Sequence, residues 1–371
     1  MQSDALTTES GYAMITFIKK PTYTVKQIKN KNSESIQNIR KGQYRMNAKR
    51  YFPEMNLATG IAVLLIILGH ALPNEDADVF GRGLICFLHT FCSSFDMALF
   101  FILAGFSAYN NFIAGEPLRA QLAKRACKLL IPYVVYTILS AVLKLSLTGF
   151  SAPNTDAGAL AAFLLGTAPG DRRWYLWTLF VIFALFLLLA KRIKHPAVFL
   201  ICGGLLYIPC IFFPDFILSS LFRYSLFYAF GIWLRIDYTR AGRNFESGKL
   251  VLTSLFLLLV MTMFSDLTPL NYPITALLGS IVILGLSSRL SKSPNTPLFR
   301  FFDRLGSFGY DVYLLSYFVQ LPIGVIFYTK LGWPYLAVSL MMFVFGLMLP
   351  YLIFSGLFRK AKWLNRLRIG N

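Results

Sequence analysis

Charge is scarce in this sequence. Of 371 residues only 14% are Asp, Glu, Lys or Arg, while 56% are hydrophobic and the mean hydropathy is +0.58. Soluble chains average ~25% charged residues. The shortage excludes a disordered chain and argues against a soluble multi-domain enzyme. Acid is scarcer still: 17 Asp+Glu stand against 36 Lys+Arg, for a net charge of +19. Three histidines are too few and too scattered for a metal site, and no metal is expected. Five cysteines without regular spacing give neither a disulfide framework nor a metal motif; Cys86 and Cys92 could pair if they faced an oxidising compartment. There is no glycine-rich phosphate loop, no C-x-x-C pattern and no internal repeat. The first 45 residues lack the apolar core of a cleavable signal peptide.

What the sequence has in plenty is apolar runs long enough to cross a bilayer, which takes ~20 residues. Ten are read, near 57–73, 94–113, 129–147, 174–190, 197–213, 216–234, 249–265, 270–287, 308–328 and 334–357. A further run at 157–168 is too short to cross and reads as re-entrant or interfacial. The positives then decide between a basic nucleic-acid binder and a membrane protein. Residues 1–50 and the connections 114–128, 191–196, 235–249, 287–306 and 358–371 together carry about +23. The alternate connections carry about −2. Charge dealt out loop by loop follows the positive-inside rule, and it places both termini in the cytoplasm. The expected architecture is an all-α polytopic membrane helix bundle of about ten transmembrane helices. Residues 1–50 form a basic cytoplasmic tail, with Met46 a plausible alternative start; 51–357 form the transmembrane domain; 358–371 form a second basic tail.

Ionisable groups inside spans are costly, so each is a functional candidate. His70 lies toward the outer end of the first span, where a neutral imidazole can take a proton from a hydroxyl. Asp96 opens the second span at similar depth and could orient that imidazole, or instead pair with Arg223 in the sixth span. Arg223 could hold an anionic group. Arg125 and Lys128 lie on an amphipathic entry to the third span, where cations attract phosphates; ordinary positive-inside charge is the competing reading. Tyr310, Tyr313, Tyr317 and Gln320 make a polar stripe on the ninth span, with Ser316 beside it. Asp171-Arg-Arg-Trp174-Tyr-Leu-Trp177 opens the fourth span on the outer side, as a sugar-stacking surface or an interfacial aromatic belt. His89, in the outer hairpin, reads as solvated or interfacial.

Five segments, in this order, resemble the acyltransferase-3 family of integral membrane O-acyltransferases, and within it the fucose 4-O-acetylase-like and polysaccharide O-acetyltransferase branch. They are Gly60-Ile-Ala-Val-Leu-Leu-Ile-Ile-Leu-Gly69-His70, Phe95-Asp-Met-Ala-Leu-Phe-Phe-Ile-Leu-Ala-Gly-Phe106, Lys124-Arg-Ala-Cys-Lys-Leu-Leu-Ile-Pro-Tyr133, Trp174-Tyr-Leu-Trp177 and Gly306-Ser-Phe-Gly-Tyr-Asp-Val-Tyr-Leu-Leu-Ser316. The resemblance covers about residues 50–357. It implies transfer of an acyl group, acetyl first among them, from acyl-CoA to a hydroxyl of a cell-surface or lipid-linked carbohydrate, in a bacterial plasma membrane. It implies acetyl-CoA as co-substrate with no permanently bound cofactor, membrane lipids around the chain and no nucleic-acid partner. His70 and Asp96 would be catalytic; Arg125, Lys128, Arg223, Trp174, Tyr313, Ser316 and Tyr317 would bind substrate. Three positions depart from the pattern. Thr59 stands where the family usually has Arg or Lys, and Asp96 and Ser316 stand where many members have His. A polysaccharide or small-molecule exporter, and a catalytically impaired homologue, are the alternatives.

Overall fold

Helix is the only regular structure among the described residues of the computed structural model, which are 52–72, 82–113, 116–147, 174–192, 195–213, 218–236, 238–264 and 268–360. They belong to the unit Arg50–Asn371; the tail 1–50, the short run 157–168, residues 171–173 and the end of the chain from 361 lie outside them. We label the helices α1 (Pro53–Ala71), α2 (Arg82–Ser93), α3 (Asp96–Ile113), α4 (Leu118–Leu147), α5 (Trp174–Ala190), α6 (Pro196–Phe212), α7 (Ser219–Ile236), α8 (Tyr238–Phe245), α9 (Gly248–Phe264), α10 (Tyr272–Leu290), α11 (Pro297–Ser307), α12 (Gly309–Ile323) and α13 (Tyr335–Lys360). A π-helical segment, Gly324–Lys330, extends α12 just beyond Pro322.

Each expected apolar run coincides with a helix. By length and hydropathy, six are able to cross a membrane: Pro53–Ala71, Gly83–Phe112, Leu118–Leu143, Tyr272–Leu290, Gly309–Lys330 and Tyr335–Gly356. Trp174–Ala190, Ala197–Phe212 and Gly248–Phe264 are shorter apolar helices. A helix of 17 residues spans about 26 Å at 1.5 Å per residue, a little under the ~30 Å hydrocarbon core. The protein is thus an all-α, polytopic membrane helix bundle. The sequence reading missed α2, α8 and α11, which fall in stretches taken as connections. In α8 and α11 the apolar residues are interrupted by charged ones, and the apolar run of α2, Leu84–Leu88, is too short to fill a twenty-residue window by itself. α2 runs on into α3 with a break only at Ser94–Phe95.

Outside faces are apolar: Ile131, Val134, Ile138, Phe256, Phe264 and Leu340 are all exposed. Inside, several hydroxyls are returned to their own helices, half-buried Thr59 to the Met55 carbonyl (2.9 Å), and buried Ser225 to Leu221 (2.7 Å) and Ser280 to Ala276 (2.7 Å). Lipid tails are as apolar as leucine, so close backbone packing has to hold such helices together. Glycine supplies it. A Cβ on Gly105 would overlap the Tyr228 carbonyl oxygen, and one on Gly231 would overlap that of Ile102, so α3 and α7 meet backbone to backbone. Gly60 and Gly306 do the same between α1 and α11.

Pairings along the helices fix their relative directions. Phe101 meets Trp174 while Phe112 meets Phe183, so α3 and α5 are parallel. Phe101 meets Tyr224 while Asn110 bonds Arg235, so α3 and α7 are parallel. Gly309 sits against Thr59 and Val63 while Gln320 reaches the Ile67 carbonyl, so α1 and α12 are parallel.

Candidate active site

α1 is buried over Ile66, Ile67, Gly69 and Ala71, yet His70 between them is exposed. It stands in the last turn of the helix, beside carbonyls whose dipoles favour a positive charge. Gly69 next to it packs against Cys92 of α2. Cys92 is in turn within electrostatic reach of Asp96, so the first two signatures converge at one end of the bundle.

Asp96 is only 7% exposed. Its Oδ1 accepts the Met97 backbone N–H (2.5 Å), and its charge reaches Tyr224 and Tyr272, whose hydroxyls lie 3.4 Å apart. Arg223 does not turn to Asp96. Its Nε donates to the Cys210 thiol (3.5 Å), and its guanidinium lies 5.5 Å from the centre of the Tyr272 ring. Asp96, Tyr224, Tyr272 and Arg223 therefore form one polar knot among α3, α7 and α10. The sequence had singled out only the acid and the arginine. Tyr224 and Tyr272 escaped it because an isolated tyrosine in an apolar run carries no spacing signal.

Below this knot lies an aromatic stack. Phe101 and Tyr224 are parallel at 4.5 Å, and Trp174 stacks on Tyr224 at 5.2 Å. Trp174 is thus level with Phe101, five residues or about 7.5 Å inside the start of α3. Its partly buried ring packs between α3 and α7. Tyr175 is buried and meets Phe100, Tyr310 and Tyr313 at 5.7, 6.3 and 6.2 Å.

The α12 stripe divides. Tyr310 and Tyr313 face this aromatic cluster. Ser316 is fully buried, and its Oγ donates to the Tyr313 carbonyl (2.6 Å). Tyr317 packs edge-on to Phe318. Gln320 donates to the carbonyls of Ile67 (3.0 Å) and Met342 (3.2 Å), joining α1 to α13. Thr59 lies under Gly309, where a Cβ would be 3.0 Å from its methyl. The small residue at 59 and the glycine at 309 fit each other, which gives the departure at Thr59 a packing reason.

On α4, Arg125 and Lys128 are both half-buried, whereas Lys124 forms an exposed ion pair with Glu116 (2.8 Å). The Arg125 guanidinium lies over the Phe183 ring at 5.0 Å. Cys86 and Cys92 are free thiols six residues apart on α2. Among the described residues no group of three or more His, Cys, Asp or Glu gathers as a metal site.

Residues 52–360 match the family model described as an acyltransferase domain. The chain belongs to the acyltransferase-3 family. No curated protein matches it, and no solved structure does. Membership supports acyl-group transfer by a membrane-embedded enzyme and an acyl-CoA type of co-substrate. It covers every site residue described above, from His70 on α1 to Tyr317 on α12.

Proposed function

We propose that this protein moves an acyl group, acetyl in the first instance, from cytoplasmic acyl-CoA to a hydroxyl of a cell-surface or lipid-linked carbohydrate, within a bacterial plasma membrane. The observation that carries the reading is His70, the exposed imidazole at the end of an otherwise buried helix in an acyltransferase-family domain. A base must reach its acceptor, and this one is open whereas Asp96, at the same end of the bundle, is buried.

In the reaction, neutral His70 takes the proton of the acceptor hydroxyl as its oxygen attacks the thioester carbonyl carbon. The new C–O bond forms and the C–S bond breaks. The imidazolium then returns the proton to the departing thiolate, giving ester and free CoA. Asp96 orders the Tyr224–Tyr272 hydroxyl pair beside the reacting groups, and Arg223, braced by Cys210 and Tyr272, offers the positive charge for the oxyanion. Arg125 and Lys128 receive the CoA phosphates at the basic face. Trp174, Tyr313, Ser316 and Tyr317 line or support the interior between the two.

Purified protein given acetyl-CoA and a carbohydrate acceptor should release free CoA in step with acylated product. His70→Ala should insert normally and lose at least a hundredfold in rate. Full acylation by that variant would sink the mechanism. Movement of the carbohydrate across the membrane without CoA release would instead mark an exporter.

A further inference from the structure

Four polar atoms deep in the bundle are closed off and have no hydrogen-bond partner among the described residues: Arg125 Nε, Thr178 Oγ1, Tyr228 OH and Tyr310 OH. They come from four helices, α4, α5, α7 and α12, and they belong together. Arg125 is in electrostatic reach of Tyr175 and Tyr228, and Tyr175 is in reach of Tyr228 and Tyr310. Thr178 stands three residues from Tyr175 on the buried face of α5. Tyr228 and Thr178 are fully buried. Buried polar groups almost always find partners, because leaving one bare costs its whole hydration. Four bare ones in a single cluster point to a ligand that completes them.

The chemistry of the set says what kind. The arginine Nε can only donate and the three hydroxyls are able to donate, so the cluster is made to meet acceptor oxygens. An acceptor lies at the Tyr310 edge of the cluster: the buried carboxylate of Asp311, in electrostatic reach of Tyr310 and Tyr136. A carboxylate at the edge disfavours a phosphate in the same space but accepts an N–H. Donors for an oxygen beside an acceptor for an N–H describe an amide. We propose that this cluster binds an amide of the acyl donor's pantetheine arm, which rests on the reading of acyl-CoA as donor. Position agrees. Tyr310 follows Gly309, which packs on Thr59, and Thr59 lies eleven residues or about 16 Å along α1 from His70. An arm held here has its phosphate end at Arg125 and its thioester end toward His70. The hydroxyls are shut from solvent, so the arm enters as the half-exposed Arg125 side chain lifts from the Phe183 ring.

The test is the double variant Tyr228→Phe, Tyr310→Phe of the full chain in lipid nanodiscs, probed with CoA and with adenosine 3′,5′-bisphosphate, which carries phosphates but no arm. The hydroxyls bond nothing among the described residues, so thermal stability should hold or rise. CoA binding should weaken about fivefold per hydroxyl, and bisphosphate binding should not change. Equal binding of CoA by variant and wild type overturns the proposal. So does an equal loss for both probes, or a fall in stability that shows the hydroxyls serving the fold. If the double variant fails to insert, Thr178→Val makes the same comparison with one hydroxyl removed at nearly constant shape. A wild-type chain that binds neither probe refutes acyl-CoA as donor, and the arm subsite with it.

Discussion

Arg235 is 6% exposed near the end of α7, with its guanidinium 4.3 Å from the Phe52 ring centre and 5.2 Å from that of Phe106, and a bond to Asn110 (3.3 Å). Beside it the Tyr238 hydroxyl donates to Glu54 (2.5 Å). This knot ties the start of α1 to α3, α7 and α8. Arg125, by contrast, is only half-buried, with its guanidinium over the Phe183 ring at 5.0 Å. Two arginines at basic connections therefore do different work. A desolvated cation–π contact is worth about 2 kcal/mol, so Arg235→Ala should lower the melting temperature in detergent by several degrees and leave the KM for acyl-CoA within twofold. Arg125→Ala should keep the melting temperature and raise that KM about tenfold, as loss of a phosphate contact would. Equal melting losses would contradict the division. The sequence singled out Arg125 as a phosphate-binding candidate and counted Arg235 only as positive charge on the same side, since the rings each one meets leave no mark in the sequence. His70 and Asp96 were legible for the opposite reason: a titratable group in an apolar run stands out by itself.

At the scale of elements, glycine decides which helix pairs form. Gly203 and Gly204 are neighbours on α6, but a Cβ on Gly203 would be 2.6 Å from the Ala229 methyl and 3.1 Å from the Ser225 carbonyl oxygen, while one on Gly204 meets nothing within 4 Å. Alanine favours a helix over glycine by about 0.8–1 kcal/mol, and overpacking a close contact costs about 1–3 kcal/mol. Gly204→Ala should therefore leave stability unchanged or raise it, and Gly203→Ala should lower it. Thermal unfolding of the two variants in one detergent checks the sign, and a shared direction would show that backbone approach does not hold α6 to α7. This is also where legibility ends. Apolar length alone placed each long helix, because nothing but a helix satisfies its backbone in lipid. The amphipathic α8 and α11 were missed because their pattern resembles that of a polar connection, and α2 because its apolar run is short and is parted from α3 at Ser94–Phe95. The stack of Trp174 on Tyr224 was not legible, because a belt and a stack between helices use the same residues. Thr178 and Tyr228 drew no attention at all, since only the neighbours brought in by α4 and α12 reveal that they lack partners.

The whole molecule joins two independent observations. Parallel α3, α5 and α7, and parallel α1 and α12, are the directions that strict alternation of crossings requires. The charge then chooses the absolute orientation, with about +23 on one set of connections and about −2 on the other. Function depends on that choice, because acyl-CoA is a cytoplasmic metabolite too charged to cross a bilayer. If the basic face is cytoplasmic, Arg125 meets the donor and His70 opens toward the acceptor. If it is not, neither residue meets the substrate assigned to it. The orientation is testable with single cysteines placed in a chain whose five native cysteines are replaced by alanine. Ser293→Cys lies exposed in a basic connection, and Leu331→Cys, at a position 53% exposed, lies in an opposite one just before Gly332. A membrane-impermeant maleimide added to intact cells, stripped of their outer membrane where they have one, should modify the cysteine at 331 and spare that at 293 until the membrane is opened. The reverse pattern would place the basic loops outside, remove Arg125 and Lys128 from any cytoplasmic nucleotide, and turn their charge from a donor site into an anchor for anionic headgroups.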